Sequence, residues 1–343
     1  MDKIDIRGLS FEDLDKLIDN IGEKSFRTKQ IYDWLHNKMV SSFLDMNNIP
    51  KSLISKLNEV AYIPIVKIYE KLVSNDGTIK YLFKVKGGVI ESVLMKYASS
   101  TSVCVSSQMG CRMGCTFCAS TINGLDRNLL TGEILGQVYE IQKDISDRVS
   151  HVVIMGSGEP LENYDETLKF IKCISNEKGL NLSARHITLS TCGLVEEINK
   201  LAKEKLQINL AVSLHAPNDK LRKEIMPIAY KYTVEELLKA CKDYGDTTKR
   251  RVTYEYALIK GVNDSHRDAN ELGRKLKGSL SHVNLIPIND VKERNYVKSD
   301  KERIKDFANI LRSLNVETTI RRENGSDINA SCGQLRNKKS KEF

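Results

Sequence analysis

Three cysteines, Cys111, Cys115 and Cys118, follow one another in a C-x3-C-x2-C pattern. Thiolates are the usual protein ligands of iron–sulfur clusters, and a four-iron cluster normally takes four of them. Gly110 and Gly114 let the backbone fold tightly beside such a cluster. The pattern therefore predicts a cluster held by three thiolates, with a fourth iron open to bind a small molecule.

Two other interpretations of these thiols are a zinc site and a set of buried structural cysteines. Zinc sites generally need a fourth Cys or His at short range, and the next histidine along the chain is His151. The spacing favours iron–sulfur. It resembles the signature of the radical S-adenosylmethionine (SAM) enzymes. In that family SAM chelates the open iron, and one electron from the cluster cleaves SAM to give a 5′-deoxyadenosyl radical.

Short apolar strands alternate with amphipathic helices after residue 98, which predicts six β–α units and a parallel sheet with right-handed crossovers. Six units fall short of the eight of a closed barrel. The expected fold class is α/β, an open partial (β/α)6 barrel of the radical-SAM type. We expect a helical domain at 1–60, a β-extension at 61–97, the core at 98–330 and a C-terminal loop with a basic tail at 331–343.

The helical domain carries four polar side chains that we expect on its surface, where they could meet RNA phosphates: Arg27, Lys29, His36 and Lys38. An ordinary solvated helix face is an equally good interpretation. In a parallel barrel the loops after each strand share one face, which holds the active site. Residues with polar side chains or an exposed glycine backbone follow several predicted strands: Gly158 and Glu159, Ser190, Ser213 and His215, and Asn289.

A longer series of motifs appears in order along the chain: C-V-S-S-Q-M-G-C, G-S-G-E-P-L-E-N, L-S-T-C-G, S-L-H-A-P-N-D, G-V-N-D, V-N-L-I-P-I-N and D-I-N-A-S-C-G-Q-L. Together they resemble the RlmN family, the radical-SAM adenine-C2 methyltransferases of 23S ribosomal RNA and transfer RNA. The resemblance runs from about residue 10 to residue 336. The combination is far more specific than any single motif.

The resemblance implies a thiol-relayed methyl transfer. An adenine C2 carbon is not nucleophilic, so in the family a cysteine sulfur first accepts the methyl group from one SAM. Matching the motif, that acceptor is Cys332. A second SAM yields the radical that removes a hydrogen from the S-methyl group, and the resulting carbon radical adds to C2. Glu91 then matches the base that removes the C2 proton, and Cys104 matches the thiol that releases the RNA by forming a transient disulfide with Cys332.

The same resemblance assigns the cofactors, a [4Fe-4S] cluster and two SAM per turnover. The expected SAM contacts are Gly158, Glu159, Ser190, Ser213, Leu214, His215 and Asn289. The chain departs from the family pattern at Ser157 (usually Met), Cys192 (usually Ser), Ala229 (usually Asn) and Asp290 (usually Pro). Cys173, Cys192 and Cys241 match no functional motif, and we interpret them as structural.

Composition sets broader limits on the protein. The net charge of +8 is compatible with an RNA partner but does not require one. Since no apolar run approaches ~18 residues, we expect no membrane span, and the first residues do not read as a signal peptide. Eight cysteines without a signal peptide indicate a reducing, cytoplasmic setting. The expected partners are 23S rRNA, tRNA and an electron donor such as flavodoxin or ferredoxin, for a protein acting as a monomer.

Three alternatives differ in chemistry. The related resistance enzymes methylate C8 of the same rRNA adenine and carry the same five cysteines; Glu159-Pro160 favours the C2 enzymes. An activase that makes a glycyl radical on a partner protein would not need Cys104 and Cys332 in these contexts. A redox sensor that binds RNA through an iron–sulfur cluster would not produce 5′-deoxyadenosine.

Overall fold

Three helices form the first part of the computed structural model, which describes residues 3–335. They are α1 (Phe11–Asn20), α2 (Phe26–His36) and α3 (Lys51–Val60). The Ser10 hydroxyl accepts a hydrogen bond from the Asp13 amide and so caps the N-terminus of α1. The apolar stripes of the helices pack into a core of their own. Two short parallel strands, β1 (Ile4–Asp5) and β2 (Ala61–Tyr62), close this unit.

A three-stranded antiparallel extension follows, made of β3 (Lys67–Val73), β4 (Ile79–Val85) and β5 (Gly88–Tyr97). It continues into β6 (Ser100–Cys104), which pairs antiparallel with β5. The extension is therefore part of the main sheet. A small hairpin, β7 (Gln108–Gly110) and β8 (Leu125–Asn128), then brackets the loop that carries the three clustered cysteines.

Six further strands lie parallel to β6 in the same sheet. They are β9 (His151–Ile154), β10 (Ile187–Thr191), β11 (Asn209–Ser213), β12 (Val252–Leu258), β13 (Ser281–Pro287) and β14 (Glu317–Ile320). The helices of this part are α4 (Thr131–Ile145), α5 (Tyr164–Ile174), α6 (Val195–Lys203), α7 (Asp219–Ile225), α8 (Val234–Thr248), α9 (His266–Leu276) and α10 (Lys301–Ser313).

The ten-stranded sheet has the order β14-β13-β12-β11-β10-β9-β6-β5-β4-β3 and does not close on itself. The predicted open, partial α/β barrel is confirmed. The strand β14, the helix α7 and the β7–β8 hairpin were not expected. The predicted basic tail from Arg336 lies outside the described residues. Among residues 3–335, no helix has the length and apolar character needed to cross a membrane.

Buried polar side chains join the helical unit to the core. The Arg7 guanidinium donates to the carbonyls of Val40 (3.0 Å) in the helical unit and Gly132 (3.4 Å) in α4. His36, expected on the surface, is fully buried, and its Nδ1 lies 2.8 Å from the Tyr139 hydroxyl. The surface assignment of His36 was wrong because the Tyr139 hydroxyl gives the ring a polar partner inside the protein.

Asp5 makes the same junction dependent on pH. Its carboxylate accepts from the amides of Gly8 (3.1 Å) and Gly132 (2.8 Å), yet burial raises its pKa from 3.8 to about 6. A carboxyl group with a raised pKa contributes stability below its unfolded pKa, and this contribution is lost as pH rises through 6.

As pH rises from 4 to 7, we therefore expect the free energy of unfolding of the wild type to fall by up to about 3 kcal/mol relative to that of Asp5→Asn. The variant loses one acceptor oxygen, but that penalty does not change with pH. Thermal unfolding of both proteins at several pH values measures the difference. Parallel pH curves for the two proteins would contradict the assignment.

Candidate active site

The loop between β7 and β8 carries Cys111, Cys115 and Cys118, whose side chains line one wall of a single cavity. The Cys111 amide donates to the Gly124 carbonyl (2.9 Å), which closes the loop at its base. Gly110 has φ +77°, and a Cβ there would lie 2.0 Å from the Gly124 oxygen. Glycine is therefore required sterically where the loop folds back on itself.

Burial sets the electrostatics of these thiols. It raises the pKa of Cys111 to about 12 and raises the pKa values of Cys115 and Cys118 as well. Thiolates here therefore need a cationic partner, which bound iron supplies. Each cysteine of a four-iron cluster binds a different iron, and three thiols that line one cavity fit that ligand set.

The ends of the parallel strands complete the cavity, which encloses about 990 Å³ of space, its open mouth included. Six of the seven residues predicted to contact SAM line it: Gly158, Glu159, Ser190, Ser213, His215 and Asn289. The structure does not bring Leu214 there, because its side chain lies in the apolar core. Ser157 is also absent from the lining.

Glu159 ties two of the strand-end loops together. One carboxylate oxygen accepts from the Leu161 amide (3.0 Å) and the other from the Cys192 amide (2.7 Å). Burial raises its pKa, and these amides act in the opposite direction. A Cβ on the preceding Gly158, which has φ +108°, would lie 2.6 Å from the Gln108 side chain. The loop therefore approaches β7 as closely as its backbone allows.

His215 is held in one tautomer. Its Nδ1 accepts from the Ala257 amide (2.9 Å), so a neutral ring carries its proton on Nε2. Burial lowers its pKa to about 3, which keeps the ring neutral at physiological pH. The ring also meets Phe117 of the cysteine loop edge to face, with centroids 5.0 Å apart. His215 thus presents an N–H donor in a cavity that also holds the clustered thiols.

A second cavity adjoins the first and contains Cys104. The two cavities share five lining residues: Met155, Ile286, Asn289, Arg321 and Cys332. Cys332 therefore stands at their junction, with its carbonyl accepting from the Asn289 amide group (3.1 Å). All eight cysteines are free thiols, so the expected Cys104–Cys332 disulfide is not formed in this state.

Glu91 lies on the same sheet face as Cys104. Val93 pairs with Cys104 across β5 and β6, and side chains two residues apart on a strand share a face. The buried Glu91 carboxylate forms an ion pair with the buried Lys80 ammonium (3.1 Å). Lys80 also donates to the Asn329 carbonyl (3.1 Å), three residues before Cys332. Glu91 itself lines neither cavity.

Sequence reasoning missed three residues of the cavity wall. Arg321 follows the unexpected strand β14, and its Nη1 lies 3.9 Å from the Glu255 carboxylate. Glu255 is buried and accepts from the Asn284 amide group (2.8 Å). Cys192 lines the cavity as well, whereas Cys173 and Cys241 are buried elsewhere. The position of Glu255 inside an apolar strand was the one available signal for it.

Comparison with known proteins identifies two matching family models. Residues 105–272 match the radical SAM superfamily, and residues 4–63 match the ribosomal RNA large subunit methyltransferase N-terminal domain. These two regions correspond to the cluster-bearing sheet and to the helical unit. The second match gives that unit a defined family context.

Relatives and a solved structure cover nearly the whole chain. A probable dual-specificity RNA methyltransferase RlmN of Alkaliphilus oremlandii is 54% identical over 98% of this chain and 99% of its own length. Its namesake in Clostridium novyi is 56% identical over 96% and 97%. The crystal structure of a radical SAM methyltransferase from Sphaerobacter thermophilus superimposes with a TM-score of 0.93 at 41% identity, covering 97% of this chain and 99% of the other.

Gly110 and Gly124 offer a matched test of the cysteine loop. Both have positive φ, so alanine costs each about 1–2 kcal/mol of backbone strain. Only at Gly110 does the new Cβ collide with backbone. We expect Gly110→Ala to lose most of its iron after anaerobic reconstitution and Gly124→Ala to keep it, as measured by iron content and visible absorbance. Equal iron loss in both variants would show that the close approach is unimportant.

Proposed function

Since the chain belongs to the RlmN family of radical-SAM RNA methyltransferases, we propose that it methylates C2 of an adenine in 23S rRNA and in tRNA, beside the anticodon. The protein uses a [4Fe-4S] cluster and SAM. We further propose that the methyl group passes through the sulfur of Cys332 and that Cys104 resolves the protein–RNA adduct.

One observation carries this proposal: Cys332 stands where the cluster cavity meets the cavity of Cys104. A carrier thiol must accept a methyl group beside SAM, present it to the RNA base, and then be reached by a second thiol. The junction gives a single side chain access to both spaces. A cysteine that served only in packing would not need to line two cavities.

The family chemistry assigns each residue a task. The cluster and SAM, when bound, supply a carbon radical able to remove a hydrogen atom. Cys332 holds the methyl group as a thioether, and Asn289 holds the backbone of Cys332. Glu91 takes the C2 proton, and its carboxylate is held in place by the ion pair with Lys80. Lys80 also connects this base to the loop that bears Cys332.

Cys104 must become a thiolate to attack the Cys332 sulfur. Burial raises its pKa to about 12, with the neighbouring Cys332 acting in the same direction, so it rests as a thiol at neutral pH. The Arg321 guanidinium opposes both effects. We infer that Cys104 loses its proton only late in the cycle, which protects the S-methyl group from premature attack.

The position of methylation separates this function from its nearest alternative, C8 methylation of the same rRNA adenine. The Glu159-Pro160 pair and the likeness to RlmN relatives favour C2. Anaerobic reconstitution with iron, sulfide and labelled SAM, followed by mass spectrometry of digested rRNA and tRNA, tests the proposal. The expected product is 2-methyladenosine in both RNAs; 8-methyladenosine would replace this function by the alternative.

We predict that Cys332→Ala and Cys332→Ser abolish both methylation and adduct formation, because neither side chain accepts a methyl group as a thiolate does. Binding of SAM should persist, since the cluster ligands are intact. Cys173→Ala, which removes a buried thiol outside both cavities, is the control and should methylate RNA. Methylation by either Cys332 variant would remove the carrier role.

We also predict that Cys104→Ala accumulates a covalent protein–RNA crosslink, because the thiol that cleaves the adduct is missing. Denaturing gel electrophoresis and nuclease digestion quantify the crosslinked fraction. Cys104→Ala/Cys332→Ala is the matched control and should form no crosslink. Release of free methylated RNA by Cys104→Ala at the wild-type rate would eliminate Cys104 from the mechanism.

A further inference from the structure

Arg222 of α7 is fully buried behind the wall of the cluster cavity. Its guanidinium donates to three carbonyls: Leu214 (3.1 Å), Ser213 (3.2 Å) and Cys192 (2.7 Å). The remaining nitrogen, Nη1, is buried and has no hydrogen-bond partner within residues 3–335. No carboxylate of that described part lies within ion-pair distance of Arg222 either. At hydrogen-bond distance this buried charge is therefore compensated by carbonyl dipoles, and Asp219, at the start of the same helix, acts on it only from longer range.

The helix α7 is in direct contact with the cysteine loop. The carbonyl of Ile225, its last residue, accepts from the amide of Thr116, the residue after Cys115 (3.0 Å). Cys115, Cys192 and Ile225 pack in one small apolar cluster. The Cys192 carbonyl accepts from Arg222 (2.7 Å). The guanidinium therefore lies directly behind the apolar cluster that contains the proposed cluster ligand Cys115.

A buried cation without an anionic partner is strongly unfavourable, because burial removes its hydration. A bound cluster would supply the anionic partner that Arg222 lacks. Three thiolates outweigh the dipositive core of a [4Fe-4S] cluster, so the loaded site is anionic, and one-electron reduction makes it more so. In a low-dielectric interior, a fixed cation nearby favours the more negative state.

We propose that Arg222 is a positioning residue that supplies the counter-charge of the cluster and favours its reduced state. The role concerns the electron that starts the reaction, so it holds whichever carbon of the RNA base is methylated. It explains why α7, a helix that sequence periodicity did not predict, is fixed against the cysteine loop. It also explains why a charge, rather than a neutral donor, lies behind Cys192 and Ser213.

The test compares the redox potential of the cluster in the reconstituted wild type and three reconstituted variants. Arg222→Gln retains N–H donors for the carbonyls without the charge, and Arg222→Lys retains the charge with fewer donors. Exposed Arg185→Gln controls for loss of one positive charge. The potential is measured by titrating the reduced cluster with its electron paramagnetic resonance signal, without SAM.

We expect Arg222→Gln to reduce the equilibrium constant for one-electron reduction at least tenfold, which corresponds to 59 mV for a one-electron couple. Arg222→Lys and Arg185→Gln should stay within about threefold of the wild type, a shift well below one such tenfold step. Cluster loading should also raise the melting temperature of the wild type more than that of Arg222→Gln, because only the wild type gains a partner for its buried charge.

Unchanged potential in Arg222→Gln would overturn the proposal, even if its iron content fell. An equal shift in the Lys and Gln variants would assign the effect to the lost carbonyl bonds instead. If Arg222→Gln failed to fold while Arg222→Lys folded normally, the charge would be required by the fold itself, which also contradicts the proposal.

Discussion

The attachment of residues 324–335 to the rest of the protein is the contact on which the proposed methyl relay depends. The carbonyls of Gly333 and Leu335 accept from the Ala119 amide (2.7 Å) and the Ser120 hydroxyl (2.6 Å), immediately after the cysteine loop. Asp327 binds Ser74 at the β3–β4 turn. One segment is thus held by the cysteine loop and by the antiparallel extension, and Cys332 lies within it between two cavities that are built from distant parts of the chain.

The second constraint is the low dielectric constant of the buried site. Burial raises the pKa of Cys104 and of the three loop cysteines. Buried thiols are poor nucleophiles and poor metal ligands until a cation compensates the thiolate. A different cation serves each group of sulfurs. Bound iron would serve the loop cysteines, Arg321 lies beside Cys104, and Arg222 lies behind Cys115. Reactivity in this site therefore depends on which cation is near which sulfur at each stage.

Local patterns predicted much of this structure. Alternating apolar strands and amphipathic helices gave the open α/β sheet, and strand-end residues such as Ser190 and Asn289 were correctly expected at one face. The unpredicted parts depend on long-range contacts. The hairpin β7–β8 and strand β14 are short, and α7 spans only two turns, so their periodicity is weak. His36 was misassigned because its partner, Tyr139, is 103 residues away. The roles of Arg321 and Lys80 depend on neighbours that only folding brings close, so no local pattern predicts them.

We infer that the transferred carbon resides on the Cys332 sulfur and loses one hydrogen there. Multiple turnovers with SAM bearing a CD₃ methyl group distinguish this route from direct transfer. The expected products are 2-methyladenosine with two deuterium atoms in its methyl group and 5′-deoxyadenosine with one. Retention of all three deuterium atoms in 2-methyladenosine would show that the methyl group is transferred intact, and would rule out the route through Cys332.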